Sequence, residues 1–392
     1  MNSRPWCSVV CYLLLATVLA NCHHDKLDLS DLLSEGLDHG FPSFTLYAVF
    51  PNGQTWQGAV GFADLEKKRR IGPSSSLPCA SITKLLVAVV VLRLIEDGRL
   101  TADQTLDSIL GEAVRTVPNA DEITVEQLLV HTSGIPDYAK TSGYISQLVG
   151  PEFRADRRWN TADYLGLVTG NESTHSPGSQ YAYSNTNYIL LGLIVEKVTG
   201  EPFETILRET ILTPLSMSNT YMKYREESRG PDIAKYLKLT PELEAMVDIS
   251  EEFQEVGDGL LDVSAVNEFD WTSGGLVSTA DDLGKFATAL FGGNLLGPNY
   301  QSWMFSFAAE LADAPVGKEL NRALFAIKYP WGTVVGKGGN GPGVHILMVQ
   351  HSETGIIMIA HTNIFGLFDE HDFMLETVFA KIVQRYVTLS DG

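Results

Sequence analysis

The sequence is poor in cysteine and in positive charge. It holds 4 cysteines in 392 residues, and 28 lysines and arginines stand against 48 aspartates and glutamates, giving a formal net charge of -20 at pH 7. So few cysteines imply no disulfide framework. The negative charge argues against nucleic acid and anionic membrane surfaces as partners, because both would repel it. Neutral and cationic partners remain compatible with this composition.

The N-terminus has no hydrophobic run long enough to span a bilayer. Residues 9–20 are apolar with one exception, and this run falls short of the about 20 residues that a membrane-spanning helix needs. With Arg4 ahead of the run, residues 1–22 predict a signal peptide. A Leu-Ala-Asn-Cys sequence ending at Cys22 resembles a bacterial lipoprotein cleavage site, and plain secretory cleavage is the alternative. We therefore expect a secreted or periplasmic protein, attached to a membrane only if Cys22 carries a lipid.

The most informative stretch of the chain begins at Ser81. Every residue from 85 to 92 is apolar, so the helix predicted here has no polar face and is expected to be buried on all sides. Ser81 and Lys84 are three residues apart, which puts both side chains on one face of the first turn. Burial lowers the pKa of a lysine, and Lys84 would then accept the Ser81 proton near neutral pH. In the structural alternative, Ser81 caps the helix and Lys84 reaches solvent.

Two later stretches place polar groups at the ends of predicted elements. Tyr183 and Asn185 lie in a turn rich in hydroxyls and amides, directly before a second apolar run; alone they fit ordinary loop and capping residues. Residues 336–343 hold five glycines and Lys337 at the end of a predicted strand. A strand edge with free amides can bind an oxyanion or an extended chain. The alternative is a glycine-rich hairpin with a surface lysine.

Two potentially reactive residues have simpler interpretations. Cys79 lies two residues before Ser81 and is expected to pack as a small apolar residue at the helix entry. His131 follows a helix that Thr124 opens as an N-cap, and it stands just before Gly134 and a proline. We interpret His131 as a residue that fixes this loop, with a general base as the alternative.

The order of the predicted elements indicates an α+β fold. Strands come first and last and helices lie between, which implies an antiparallel sheet completed by both chain ends and flanked by helices. We assign residues 28–100 and 272–392 to an α/β lobe, and residues 101–271 to a mostly helical inserted lobe. Within the latter, residues 241–270 carry ten acidic residues and no lysine or arginine. This bias predicts an exposed excursion; a mobile acidic lid and a surface that recruits a cationic partner are the alternatives.

Together, the three stretches resemble the motifs of the serine penicillin-recognising enzymes. Ser81-x-x-Lys84, Tyr183-x-Asn185 and Lys337-Gly338-Gly339 occur in this order and on these elements, as in class C β-lactamases, D-alanyl-D-alanine carboxypeptidases and related esterases. The resemblance extends from about residue 44 to the last predicted helix. It implies a β-lactamase/transpeptidase-like fold, and we expect a monomer.

The resemblance also implies a reaction through an acyl-enzyme. Ser81 would be the acylated nucleophile, and Lys84 with Tyr183 the general-base system. Their pKa values would be held down by each other and by Lys337. No metal ion or organic cofactor is needed for this chemistry. The predicted function is an exported serine hydrolase acting on a peptide-like amide or an ester, of the D-alanyl-D-alanine carboxypeptidase/β-lactamase type.

The remaining motif residues would bind the substrate, a small molecule or a peptide. Asn185 would hold the substrate amide, and the substrate would bind along the strand Lys337-Gly338-Gly339. The backbone amides of Ser81 and Asn340 would form the oxyanion hole. Gly338 departs from the family pattern, which has a threonine or serine there whose hydroxyl helps to bind the substrate carboxylate. A carboxylesterase for neutral esters is therefore one alternative. A non-catalytic relative that binds cell-wall fragments or a partner is another.

Overall fold

The structure is a computed structural model. It describes residues 27–156, 159–241, 248–266, 270–305, 318–320, 324–365 and 371–390. The predicted signal peptide, residues 1–22, lies outside the described residues. Within the described part of the chain, no helix is both long and apolar enough to cross a membrane.

The described residues form twelve α-helices, with short 3-10 or π segments between them. The α-helices are α1 Ser30–Asp38, α2 Thr83–Glu96, α3 Leu106–Leu110, α4 Val125–Leu129, α5 Ser142–Leu148, α6 Thr161–Val168, α7 Asn185–Thr199, α8 Phe203–Leu207, α9 Trp271–Gly274, α10 Ala280–Phe291, α11 Pro298–Phe305 and α12 His371–Ser390. The 3-10 segments are Ala80–Ile82, Gly111–Val114 and Tyr138–Lys140, and the π segment is Arg208–Leu212.

Fifteen strands are described. They are β1 Ser43–Val49, β2 Thr55–Asp64, β3 Arg69–Arg70, β4 Leu77–Pro78, β5 Tyr221–Met222, β6 Tyr236–Lys238, β7 Gln254–Gly257, β8 Leu260–Asp262, β9 Leu276–Ser278, β10 Lys318–Leu320, β11 Phe325–Tyr329, β12 Gly332–Gly341, β13 Val344–His351, β14 Ile357–Thr362 and β15 Ile364–Phe365.

The largest sheet joins the two ends of the described chain. Its eight strands run in the order β10-β11-β12-β13-β14-β1-β2-β3. The strand pairings are antiparallel, and β1 lies beside β14 with Phe44 opposite Thr362. The prediction of an α+β fold with an antiparallel sheet completed by both chain ends is therefore confirmed.

Helices cover both faces of this sheet. Along β13, Ile346 and Met348 belong to the core that contains α2 and α10, whereas Leu347 and Val349 belong to the core that contains α1 and α12. Successive side chains of a strand point to opposite faces, so an apolar run buried on both sides is what a central strand requires.

Helix α2 is the centre of the larger core. All of its residues from 83 to 92 are buried, including Lys84. Its fully apolar surface is packed on every side, against α7, α8 and α9 among others. Burying a Leu or Val side chain contributes roughly 1.5 to 3 kcal/mol, so this helix holds its first turn in a fixed place.

The helix start predicted at Thr124 is confirmed by its cap, and a second helix has a cap of a similar kind. The Thr124 side chain accepts from the Gln127 amide, and the Gln127 side chain in turn accepts from the Thr124 amide. Thr279 accepts from the amide of Asp282 at the start of α10. Each cap satisfies backbone N–H groups that the first turn of a helix leaves without partners.

The acidic stretch, residues 241–270, was predicted to be an exposed excursion, but its described part contains strands of a sheet. Its described part forms β7 and β8, which join β6 and β15 in a four-stranded sheet. Leu260, Leu261 and Val263 are buried there. The acidic residues therefore lie in and beside short strands of a packed sheet. Because acidic residues are so frequent in this stretch, the short apolar segment between them was not recognised in the sequence. Residues 242–247 and 267–269 of this stretch lie outside the described residues.

Candidate active site

Ser81 is positioned by a tight connection between β4 and α2. The Cys79 amide donates to Leu276 O of β9 at 2.8 Å, which ties the connection to the neighbouring strand. Ala80 then adopts φ +42°, a left-handed conformation that L-residues rarely take. The chain turns through Ala80–Ile82 into α2, and the Ser81 side chain emerges at the wall of a pocket.

The structure brings Ser81, Lys84 and Tyr183 together. Lys84 Nζ lies 3.1 Å from Ser81 Oγ, and the Tyr183 hydroxyl lies 2.9 Å from the same oxygen. Tyr183 comes from the segment before α7, so residues about one hundred positions apart meet at one atom. The serine hydroxyl therefore contacts an amine and a phenol at once.

Lys84 is held by three acceptors in a buried position. Besides Ser81 Oγ, its Nζ donates to Asn185 Oδ1 at 2.7 Å and to Ser273 O at 2.5 Å. Burial lowers the pKa of Lys84 to about 7, and the charges of Asp270 and Asp137 oppose this shift. In its neutral form, the amine donates to Asn185 and Ser273 and presents its lone pair to the Ser81 hydroxyl.

The pKa of Tyr183 differs from the prediction. We expected neighbouring cations to hold it down, but burial raises it, and the charge of Lys337 and the hydrogen bond with Ser81 only partly oppose that effect. A phenol whose desolvation outweighs its cationic neighbours stays protonated near neutral pH. Tyr183 is thus a proton donor in the resting site, and Lys84 is the group suited to act as base.

Lys337 is a second lysine close to the Tyr183 ring. Its Nζ is 5.1 Å from the centre of the Tyr183 ring, and Lys84 Nζ is 5.2 Å from the same centre. Burial and the nearby Lys84 lower the pKa of Lys337, while Tyr183 opposes the shift. The structure places Lys337 in the pocket wall with Ser81, where it can supply positive charge to a substrate.

Asn185 is engaged at both ends of its side-chain amide. Its oxygen accepts from Lys84, and its Nδ2 donates to the two carboxylate oxygens of Asp137 at 3.1 and 3.3 Å. Asp137 Oδ1 also accepts from the Asn185 backbone amide at 3.1 Å. These contacts fix Lys84 in place, and the predicted role of Asn185, holding the substrate amide, stays a prediction. Sequence reasoning did not find Asp137, whose partner is 48 positions away.

The His131 ring packs against the Tyr183 ring. Its ring centre lies 4.3 Å from that of Tyr183, and its Nδ1 accepts from the Ser184 amide at 3.2 Å. Burial, with the charges of Lys337 and Lys84, lowers the pKa of His131 well below its ordinary value, which keeps the imidazole neutral. These contacts fit the interpretation of His131 as a loop-fixing residue.

The glycine-rich strand β12 runs beside the nucleophile. A side chain at Gly339 would bring its Cβ to 2.6 Å from Cys79 O and 3.1 Å from Ser81 N, so only glycine fits here. Among the described residues, β11 pairs with β12 only as far as Gly336. Asn340 lines the same pocket as Ser81. The oxyanion hole formed by the Ser81 and Asn340 amides stays a prediction.

Gly338 stands where the family pattern has a hydroxyl. Among the described residues, no atom lies closer than 3.9 Å to a Cβ built on it, and the residue lines the pocket. The described part of the structure therefore leaves room for a side chain at this position.

The pocket has a volume of about 510 Å³. Its polar groups gather around Ser81, and the rest of its wall is largely apolar. The apolar lining residues are Ala80, Ala139, Ile145, Leu148, Val149, Leu237, Phe325, Ile327, Pro342, Leu347 and Phe365, joined by the rings of Tyr138 and Tyr144. Such a wall suits an apolar or aromatic substrate group.

Two carboxylates line the pocket, those of Asp270 and Glu376. Asp270 Oδ1 accepts from the hydroxyl groups of Tyr138 at 2.9 Å and Tyr144 at 3.2 Å. The Tyr138 hydroxyl also meets Ser273 Oγ at 2.7 Å. Sequence reasoning placed Asp270 at the end of an exposed acidic run, and no local pattern marked it as a site residue.

Two other kinds of site are not supported. The Cys79 thiol is buried and donates to Leu77 O, and burial raises its pKa, so it stays a protonated packing residue as predicted. Within the described ranges, no group of three or more histidine, cysteine or acidic side chains could hold a metal ion.

The fold and the serine-lysine-tyrosine site define the chain as a β-lactamase-fold serine hydrolase. The profile of the family described as Beta-lactamase matches residues 29–380, so the chain belongs to the Beta-lactamase family. The predicted resemblance to serine penicillin-recognising enzymes is thereby confirmed.

Named relatives agree with this assignment. Protein flp of Staphylococcus aureus (strain N315) is 27% identical over 222 residues, which cover 56% of this chain and 42% of that protein. The chain thus spans less than half the length of this curated relative. A D-stereospecific amidohydrolase from Streptomyces sp. superposes with TM-score 0.73 at 26% identity, covering 86% of this chain and 93% of that one. The fold of a D-amino acid amidase from Ochrobactrum anthropi SV3 matches with TM-score 0.79 at 24% identity, covering 93% and 99%.

Proposed function

We propose that this protein is an exported serine hydrolase that cleaves an amide or an ester through an acyl-enzyme on Ser81. One observation carries the proposal: Ser81 Oγ lies within hydrogen-bond distance of both Lys84 Nζ and the Tyr183 hydroxyl at a pocket wall. A serine hydroxyl becomes a useful nucleophile when an adjacent base can take its proton.

In the acylation step, neutral Lys84 accepts the Ser81 proton while Oγ bonds to the substrate carbonyl carbon. The carbonyl electron pair moves to its oxygen, which the Ser81 and Asn340 amides are proposed to receive. The Tyr183 hydroxyl then gives its proton to the leaving nitrogen or oxygen as the bond between that atom and the carbonyl carbon breaks. The Lys84 ammonium in turn returns a proton to the Tyr183 oxygen. The leaving amine or alcohol departs, and Ser81 carries the acyl group.

Deacylation repeats these roles with water. Lys84, neutral again, accepts a proton from a water that attacks the acyl carbon, and the Ser81 oxygen leaves with a proton supplied through Tyr183. A base whose pKa is about 7 suits both steps near neutral pH, because it is present unprotonated and still binds a proton.

The substrate we propose is an amide or ester with an apolar or aromatic group and without an essential carboxylate. The pocket wall is largely apolar, and Gly338 offers no hydroxyl to a carboxylate. The neighbouring structures named as D-amino acid amidase and D-stereospecific amidohydrolase support the amide assignment. Carboxylesterase activity on neutral esters uses the same groups and belongs to the same proposal, whereas D-alanyl-D-alanine carboxypeptidase activity depends on Lys337 alone for the carboxylate.

The test is covalent labelling of the nucleophile. The protein is incubated with a fluorescent penicillin or an activated aromatic ester, and intact mass is measured. We expect one acyl adduct, mapped by peptide mass to Ser81 and absent from Ser81→Ala. An unchanged mass with every reagent, together with ligand binding that Ser81→Ala leaves intact, would instead identify a non-catalytic binding protein.

Export is tested separately. The proposed signal peptide predicts that the protein made in a bacterial host loses residues up to Cys22, with a lipid on that cysteine if the lipoprotein alternative holds. N-terminal mass analysis of the secreted, periplasmic and membrane fractions decides between the two, and an intact N-terminus in the cytoplasm would contradict both.

A further inference from the structure

We propose that Asp270, together with the rings of Tyr138 and Tyr144, binds a protonated amine on the acyl part of the substrate. This inference rests on the proposed function and narrows its substrate class to amides and esters of amine-bearing acids, amino acids included. It adds a subsite for a cation beside the groups that carry out acyl transfer.

Asp270 reaches the pocket from the segment that leads into α9. It lines the pocket together with Tyr138, Tyr144 and Ser273. The Lys84 amine donates to the backbone oxygen of Ser273, three residues after Asp270. The carboxylate therefore lies beside the reacting groups and within the same cavity.

The two oxygens of this carboxylate differ in their contacts with the described residues. Both tyrosine hydroxyls donate to Oδ1. Among the described residues, no hydrogen bond is formed by Oδ2, and the side chain is only partly buried. A carboxylate oxygen that faces a cavity without a donor is a place for a donor from the ligand.

Burial raises the pKa of Asp270. The hydroxyl donors Tyr138 and Tyr144 and the charges of Lys84 and Lys235 oppose that shift and stabilise the ionised carboxylate. The Lys235 amine donates to Val266 O at 2.7 Å, and within the described residues no hydrogen bond joins it to Asp270. Within the described residues, the carboxylate thus accepts two hydrogen bonds at Oδ1 and none at Oδ2.

The neighbouring rings complete an ammonium site. Tyr138 and Tyr144 line the pocket with their ring centres 5.1 Å apart at 70°. Aromatic faces beside a carboxylate attract an ammonium group through the ring quadrupole in addition to the charge. A carboxylate ligand, by contrast, would be repelled by Asp270. This agrees with the absence of a hydroxyl at Gly338, where carboxylate binding is expected.

The simpler explanation is that Asp270 serves only to raise the pKa of Lys84. That role would affect all substrates equally, whereas an amine subsite acts on one substrate of a matched pair. The two explanations therefore predict different results for the same variant.

The experiment compares phenylalanine p-nitroanilide, as separate D and L forms, with 3-phenylpropionic acid p-nitroanilide. The pair differs only in the amine. For wild type we expect kcat/KM to favour the better phenylalanine enantiomer by roughly tenfold or more, the size of one charge-assisted hydrogen bond. Asp270→Asn should bring this ratio close to one, mainly through KM. Glu376→Gln removes a different carboxylate from the same pocket and should keep the wild-type ratio.

A second measurement needs no variant. In wild type, 2-phenylethylamine should inhibit hydrolysis of 3-phenylpropionic acid p-nitroanilide more strongly than 2-phenylethanol does, and equal inhibition would contradict the subsite. An equal loss of kcat/KM for both substrates in Asp270→Asn would also contradict the amine subsite. It would leave only the effect of Asp270 on the pKa of Lys84. Failure of the proposed function looks different: Ser81 would take up no acyl group from any reagent.

Discussion

Asp137 holds the side-chain amide of Asn185 with both of its carboxylate oxygens, at 3.1 and 3.3 Å from Nδ2. A side-chain amide could otherwise turn by 180° and present its NH2 group to Lys84. With the donor end bound to Asp137, the oxygen end faces the amine at 2.7 Å. The orientation of Lys84 toward Ser81 thus depends on a carboxylate that does not line the pocket.

This relationship predicts a shift in the pH dependence. Burial sets the pKa of Lys84 at about 7, and the negative charge of Asp137 acts to raise it. Activity of wild type should therefore rise as pH increases through about 7, where Lys84 loses its proton. Asp137→Asn removes the negative charge and lowers the pKa of Lys84, so the acid limb should move to lower pH, by roughly half a unit to one unit.

The measurement is kcat/KM from pH 5 to 9 for one neutral ester, which has no titrating group of its own. Asp107→Asn serves as the control, since Asp107 is exposed on α3. An unmoved acid limb in Asp137→Asn would contradict the assignment of Lys84 as the base. A shift to higher pH would mean that the limb reports another group.

Sequence reasoning found the parts of the site that lie at the ends of strongly patterned elements. Ser81 and Lys84 open a helix with no polar face, and Lys337 ends a strand before a glycine-rich turn; periodicity locates such ends well. Asp137 and Asp270 were missed because their partners are distant in sequence, at 48 residues for Asn185 and 132 for Tyr138. Nothing in their local sequence distinguishes them from surface acids.

The direction of a pKa shift was equally hard to predict. For Lys84, burial alone decides the sign, and a buried helix is visible in the sequence. For Tyr183, burial and the charge of Lys337 act in opposite directions. Which effect is larger depends on the packing of His131 and the distance to Lys337, and neither can be obtained from the order of residues. In the same way, the strands β7 and β8 were hidden by the acidic residues around Leu260 and Leu261.

The close approach of β12 to Ser81 gives a second prediction. Gly339→Ala would place Cβ 2.6 Å from Cys79 O and 3.1 Å from Ser81 N, both backbone atoms that cannot move independently. The strand must shift away from the nucleophile, and the amide of Asn340 with it. We expect kcat/KM to fall by roughly 10² to 10³, as for loss of one oxyanion donor.

Thermal unfolding and the rate of hydrolysis are measured together for this variant. Gly338→Ala is the matched control: it adds the same methyl group one position earlier, where no described atom lies closer than 3.9 Å. The control should keep nearly full activity. Wild-type activity in Gly339→Ala would show that the Asn340 amide does not receive the oxyanion.

The room that the described residues leave at Gly338 leads to the last prediction. Gly338→Thr restores the hydroxyl of the family pattern, and among the described residues a Cβ there meets nothing closer than Ile346 O at 3.9 Å. Gly338 and Lys337 both line the pocket. The new hydroxyl and Lys337 would together form a hydrogen-bonding and charged site for a substrate carboxylate, worth roughly tenfold or more in binding for a bond to a charged group.

The measured quantity is the ratio of kcat/KM for a carboxylate-bearing substrate, such as a cephalosporin or a D-Ala-D-Ala peptide, to kcat/KM for a neutral aromatic ester. In Gly338→Thr this ratio should rise roughly tenfold, while Gly338→Ala, which adds bulk without a hydroxyl, should leave it unchanged. An equal rise in both variants would attribute the effect to strand rigidity. No rise in either would mean that Asp270, the carboxylate in the same pocket, repels these substrates more strongly than the hydroxyl and Lys337 attract them. Asp270→Asn combined with Gly338→Thr would then raise the ratio where neither change does so alone.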